Sequence, residues 1–212
     1  MKKGKVNNNL DIFNRKYMEL LHQIKNDEKI RSKIIVEVND ISLSPKELID
    51  FCSHEIDMLP NLSNILILGG GYGREAHRFK LQYDKFNLYT LDISPLGEEI
   101  GREIIEDVIF LTGDMCDIEF EDNTFDVIFS LHSLEHTSDI DKTMSEVLRI
   151  IKDGGLFGLA YPYKWQIDEQ HVYMFEDDIV EYMSKFGKVE DVESIEHQSR
   201  MLKVVIDKGR NK

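Results

Sequence analysis

Ile65-Leu66-Ile67-Leu68-Gly69-Gly70-Gly71-Tyr72-Gly73-Arg74-Glu75-Ala76 decides how this chain folds. Four consecutive apolar residues with no polar alternation read as a strand buried on both faces. Glycines at 69, 71 and 73 then end it, because a residue without Cβ can turn sharply and let a bulky ligand reach the main chain. The helix expected after Gly73 opens with free N–H groups and a partial positive charge. In an open α/β sheet, this first strand-to-helix turn lies at the carboxyl ends of the strands, where such folds bind ligands.

Glycine spacing separates the nucleotide chemistries. A dinucleotide fingerprint starting at Gly69 needs glycine at 74, where this chain has Arg74, and no triphosphate loop of the Gly-Lys-Ser/Thr kind is present. Asp92, nineteen residues after Gly73, closes the strand-like run Phe86 to Asp92 and is placed to accept both hydroxyls of a ribose. Val108-Ile109-Phe110-Leu111 leads into Gly113-Asp114-Met115. An acid there can accept from an exocyclic amine while the next N–H donates to a ring nitrogen, a pairing that reads adenine. Phe125 to Leu131 forms a fourth strand whose polar tail, His132 to Thr137, falls at the same edge of the sheet.

In this order, Ile65–Ala76, Leu91–Ser94, Leu111–Asp117, Phe125–Thr137 and Glu146–Pro162 resemble the motifs of class I S-adenosylmethionine-dependent methyltransferases of the small-molecule branch. The segment His171 to Ile179 resembles the His-x-x-x-Phe stretch that follows in many relatives, and the likeness covers roughly residues 60 to 207. The resemblance implies an α/β, Rossmann-like sheet of seven strands, order 3-2-1-4-5-7-6 with the last strand antiparallel, and helices on both faces. It implies S-adenosyl-L-methionine as cofactor and Gly69, Gly70, Gly71, Tyr72, Gly73, Arg74, Asp92, Ile93, Asp114, Met115, Leu131 and His132 as the residues that bind it. One departure stands out: the family usually carries an acid two residues before the first glycine, to help hold the amino group of the methionine part, and here that position is Ile67.

Methyl transfer from a sulfonium is a direct displacement, so the protein mainly aligns the acceptor and excludes water. A base is needed only where the acceptor carries a proton of high pKa. His132, His136 and His171 are the candidates, each with a structural role as the alternative. Tyr161, Tyr163 and Trp165 either line an acceptor pocket or are plain packing. The segment His132-Ser133-Leu134-Glu135-His136 also matches an inverted zinc-peptidase pattern, but that chemistry requires both histidines on one uninterrupted helix. No metal is therefore expected. A cofactor-binding scaffold that has lost catalysis is the other alternative, motivated by Ile67.

Residues 1–60 are expected as a helical extension or cap on a methyltransferase domain at 61–212. Leu10, Phe13, Tyr17, Leu20, Leu21 and Ile24 recur at helical spacing. Ser44-Pro45-Lys46-Glu47 reads as a capping box opening a second helix, with Leu48, Ile49, Phe51, Cys52, Ile56 and Leu59 as its buried stripe. Further on, a helix over 140–151 ended by Gly154-Gly155, a strand over 156–161, a helix over 176–186 and an antiparallel pair at 189–195 and 201–206 are expected.

At 212 residues and 42% hydrophobic content, one sizeable core accounts for the chain. A formal charge of −14 repels phosphate, so nucleic acid and anionic membrane surfaces are not expected partners. The expected partner is a small-molecule acceptor, and a homodimer is compatible with the sequence. Two distant cysteines, no apolar signal core and no long apolar run point to a cytoplasmic protein.

Overall fold

The computed structural model describes residues 2–3, 9–29, 43–162, 173–174, 178–193 and 199–209. Its centre is a sheet built from β1 (Asn64–Leu68), β2 (Asn87–Asp92), β3 (Ile109–Thr112), β4 (Phe125–Leu131), β5 (Ile151–Pro162), β6 (Gly187–Glu193) and β7 (Ser199–Ile206). The strand order is 3-2-1-4-5-7-6, as the resemblance implies. The first five strands are parallel, and β7 runs antiparallel to both β5 and β6. Lys2–Lys3 pairs with Tyr173–Met174 in a separate two-stranded ladder.

Register sets the site. Leu68 pairs with Leu91 on one side and Ser130 on the other, Asp92 pairs with Thr112, and Leu131 pairs with Ala160. The loops after β1 to β4 therefore leave the sheet at one edge.

The helices are α1 (Asn9–Asn26), α2 (Leu43–Phe51), α3 (Ser53–Asp57), α4 (Arg74–Gln82), α5 (Pro95–Ile104), α6 (Ile140–Ile150) and α7 (Asp178–Met183), with a 3₁₀ turn at Leu134–His136. Alternation along β1 feeds two cores. Leu66 and Leu68 join Ile128, Phe157, Met144 and Val147 on one face, whereas Ile65 and Ile67 join Leu48, Phe79, Val127 and Phe129 on the other. A third cluster, Leu21, Ile24, Ile100, Ile105 and Phe110, seats α1 on α5. Burying such side chains contributes about 1.5–3 kcal/mol each.

Three expectations need correction. The helix foreseen from the capping box is two, α2 and α3, separated at Cys52, whose φ of −95° and ψ of 1° leave the helical region. Its stripe is otherwise as read, with Leu48, Ile49, Cys52 and Ile56 buried. The helix foreseen over 140–151 stops at Ile150, and Gly154-Gly155 sit inside β5 instead of capping that helix. Between Phe125 and Val127 on β4, the partner residue on β5 jumps from Ile151 to Leu156, and Gly154 takes φ +74° within this bulge. Of the expected 176–186 helix, Asp178–Met183 is helical among the described residues, and β6 begins at Gly187.

The Lys203 ammonium, almost wholly buried, lies 3.0 Å from Glu55 on α3 and 3.1 Å from Glu190 on β6. It also sits 5.0 Å from the Phe51 ring centre, which ties the N-terminal helices to the antiparallel edge. A buried charge is held down by its partners, so losing them costs more than replacing the charge itself. The paired change Glu55→Gln and Glu190→Gln is expected to lower stability in urea unfolding, because it leaves the Lys203 ammonium without its partners. Lys203→Met should cost clearly less, and the reverse ranking would refute a charge-based role.

Candidate functional site

One cavity of about 480 Å³ opens over the carboxyl ends of β1 to β4. This lies within the size range of small-molecule and cofactor sites. Its floor is the glycine loop. Gly69 and Gly71 have φ of +70° and +53°, values that side-chain-bearing residues rarely adopt. A Cβ on Gly69 would lie 2.3 Å from that of Ser133, and one on Gly71 would lie 2.6 Å from the Tyr17 hydroxyl. Ser133 is fixed beneath the loop, because its hydroxyl donates to the Leu68 carbonyl at 2.6 Å.

Asp92 holds the loop from the side. Its Oδ2 accepts from the Gly71 N–H and its Oδ1 from the Ser94 N–H, both at 2.9 Å. Burial pushes its pKa up, and these two backbone donors pull it back down. Each oxygen keeps a further lone pair for a ligand hydroxyl. At the next strand end, Asp114 Oδ1 accepts from the Cys116 N–H at 2.8 Å, and Asp114 and Met115 face the cavity.

Of the cofactor-binding residues implied by the sequence, Gly69, Gly70, Gly71, Tyr72, Arg74, Asp92, Ile93, Asp114, Met115, Leu131 and His132 all line the cavity. Gly73 does not: it is buried at φ +91°, where a Cβ would meet the Phe110 ring at 2.7 Å. Its role is packing. His136 is on the wall, while His171, Tyr163 and Trp165 lie outside the described residues. Tyr161 is fully buried in the core, so it is packing and not cavity wall.

The sequence suggests a cap over 1–60 but does not single out the residues that form the roof. Leu10 and Tyr17 from α1 close over the loop, and Asn14 accepts from the Ser94 hydroxyl at 2.6 Å. Their one-face spacing was legible, but its target was not. Glu75, Thr137 and Ser138 complete the wall.

The histidine segment is no α-helix. His132 has φ +49°, a strained value for a non-glycine residue, and only Leu134–His136 winds, as a 3₁₀ turn. The two histidines therefore do not share a helix face, and among the described residues no cluster of three or more His, Cys, Asp or Glu could hold a metal ion. The His132 ring sits between Ser199, whose hydroxyl is 3.3 Å from Nε2, and Glu135, whose carboxylate is 3.9 Å from Nδ1.

Glu135 is 1% exposed, off the cavity wall, and neither carboxyl oxygen finds a hydrogen-bond partner among the described residues. Burial raises its pKa to about 8. The folded protein thus holds a proton there that the unfolded chain releases near pH 4.5, so this group's stabilising share is complete below that pH and is lost as pH rises through about 8. Relative to the unsubstituted protein, Glu135→Gln is expected to gain stability as pH climbs from about 5 to about 8, by roughly 1.4 kcal/mol per pH unit. Thermal unfolding at a series of pH values checks this, and a pH-independent difference would refute it.

A mostly parallel sheet of this order, with a glycine loop after β1 and acids at the next two strand ends, has the Rossmann-like arrangement in which ligands bind at the carboxyl ends of the strands. Residues 66–159 match the family model described as a methyltransferase domain. That stretch is less than half of the chain, and over it the sequence is similar to methyltransferase domains. A glycine/sarcosine/dimethylglycine N-methyltransferase of Actinopolyspora halophila is 31% identical over 122 residues, which are 55% of this chain and 21% of that protein. A sterol 24-C-methyltransferase of Schizosaccharomyces pombe is 29% identical over 115 residues, 51% of this chain and 29% of that protein. The match thus spans less than a third of either relative's length. In fold, the crystal structure of a putative S-adenosyl-L-methionine-dependent methyltransferase of Methanococcus maripaludis superposes with a TM-score of 0.62 at 16% identity, covering 98% of this chain and 97% of that one.

Proposed function

We propose that the chain transfers a methyl group from S-adenosyl-L-methionine to an oxygen, nitrogen or carbon atom of a small-molecule acceptor. The observation that carries this reading is the cavity floor: a backbone held bare of side chains at Gly69 and Gly71, beside a carboxylate already fixed by two backbone donors. A Cβ at either glycine would intrude on neighbouring atoms, and the residues present fit an adenosyl group.

Asp92 would take the ribose hydroxyls, Asp114 and the Met115 N–H the adenine, and the loop from Gly69 to Tyr72 the chain that follows. The bound cofactor supplies a sulfonium-activated methyl. The chain's own part is to orient both partners and keep water out, and α1 serves that as a cap, with Tyr17 and Leu10 over the cavity. Where the acceptor carries a proton, His136 on the wall and His132 beside it are the groups to take it, with His132 steadied by Ser199. The low identities and short overlaps support no choice between an amine, a sterol or another acceptor. Buried, unpaired Cys52 and Cys116 are in keeping with a reducing, cytoplasmic setting.

Isothermal titration with S-adenosylhomocysteine is the test. Micromolar binding is expected, weakened at least tenfold, or about 1.4 kcal/mol, by Asp92→Ala. No heat of binding at millimolar ligand would remove the methyltransferase reading.

A further inference from the structure

Among the described residues, three carboxylates line the cavity, and two of them have evident work. Asp92 binds the Gly71 and Ser94 N–H groups, and Asp114 binds that of Cys116. Both stand at strand ends, where sugar and base are read. The third, Glu75, is in the first turn of α4. Among the described residues, no other residue donates a hydrogen bond to its carboxylate. Burial raises its pKa, with the neighbouring Arg74 pulling the other way. This half-buried carboxylate, hydrogen-bonded by its own backbone N–H, keeps acceptor capacity toward the cavity that a ligand donor can fill.

Its chain neighbour Arg74 lines the same cavity, so two consecutive residues present opposite charges to one space. An α-amino acid presents the same two signs, ammonium and carboxylate, on one carbon. Ile67 offers nothing to that end of a ligand: it is 2% exposed, turned into the core with Phe79 and Phe129, and absent from the cavity wall.

Resting on the methyltransferase reading, we infer that Glu75 receives the α-ammonium of the cofactor's methionine part while Arg74 faces its carboxylate, so that the acid missing at position 67 is replaced from the start of α4. The site is thereby selective for nucleosides that carry a zwitterionic amino-acid tail. A charge-assisted hydrogen bond of this kind is worth about 10- to 150-fold in affinity.

The test compares two ligands on the full chain by isothermal titration: S-adenosylhomocysteine, which has the amino-acid end, and 5′-methylthioadenosine, which lacks it. In Glu75→Gln, binding of S-adenosylhomocysteine should weaken at least tenfold while methylthioadenosine binds within about twofold of the unsubstituted protein, which also shows that the variant is folded. Unchanged binding of both ligands overturns the inference and leaves the methyltransferase reading standing. Equal weakening of both also overturns it, since Glu75 would then only shape the loop. If the unsubstituted protein binds neither, the functional reading fails and the inference goes with it.

Discussion

The Asp92 carboxylate joins two crossovers of the sheet. One oxygen receives the N–H of Gly71 in the loop after β1, and the other receives the N–H of Ser94, which opens α5 after β2. Ser94 in turn donates its hydroxyl to Asn14 on α1, so the floor, side and roof of the cavity meet at one side chain. The arrangement works because Gly69 and Gly71 have no Cβ and adopt left-handed backbone angles, which lets Ser133 come up beneath the loop and Tyr17 come down above it. Burying a carboxylate is expensive, and two backbone donors offset part of that cost while leaving acceptor capacity toward the cavity.

The acidic character of the chain takes on local meaning at this site. A formal charge of −14 is a global property, but among the described residues of the cavity it appears as Glu75, Asp92 and Asp114 around a space that Arg74 also borders. Such a field favours a cationic sulfonium and disfavours phosphate-bearing ligands. Behind the wall, Glu135 is handled differently: with no donor among the described residues and a pKa pushed to about 8, it is held as a neutral acid beside the strained His132. One chain thus turns some carboxylates toward the cavity and holds another buried and neutral, by environment alone.

Much of the fold was legible because its signals are local. Apolar-rich runs ending in glycine, an acid or a polar tail marked β1 to β4, and the family resemblance implied the strand order that brings their loops to one edge. Asp92 and Asp114 were readable for the same reason, since a strand end needs no distant partner to be recognised. Gly154-Gly155 were misread as a helix cap because a glycine pair serves a bulge equally well, and only the register between β4 and β5 separates the two. The break at Cys52 has no local signal that we can identify. Tyr17 above Gly71 and the burial of Glu135 depend on contacts between segments far apart in sequence, which periodicity does not report.

The most direct measurement is a crystal structure with S-adenosylhomocysteine bound. The account predicts the adenosyl group over Gly69 to Gly71, both ribose hydroxyls on Asp92 and adenine against Asp114 and Met115. A ligand bound elsewhere on the chain, or this cavity left vacant while the compound saturates the crystal, would contradict it.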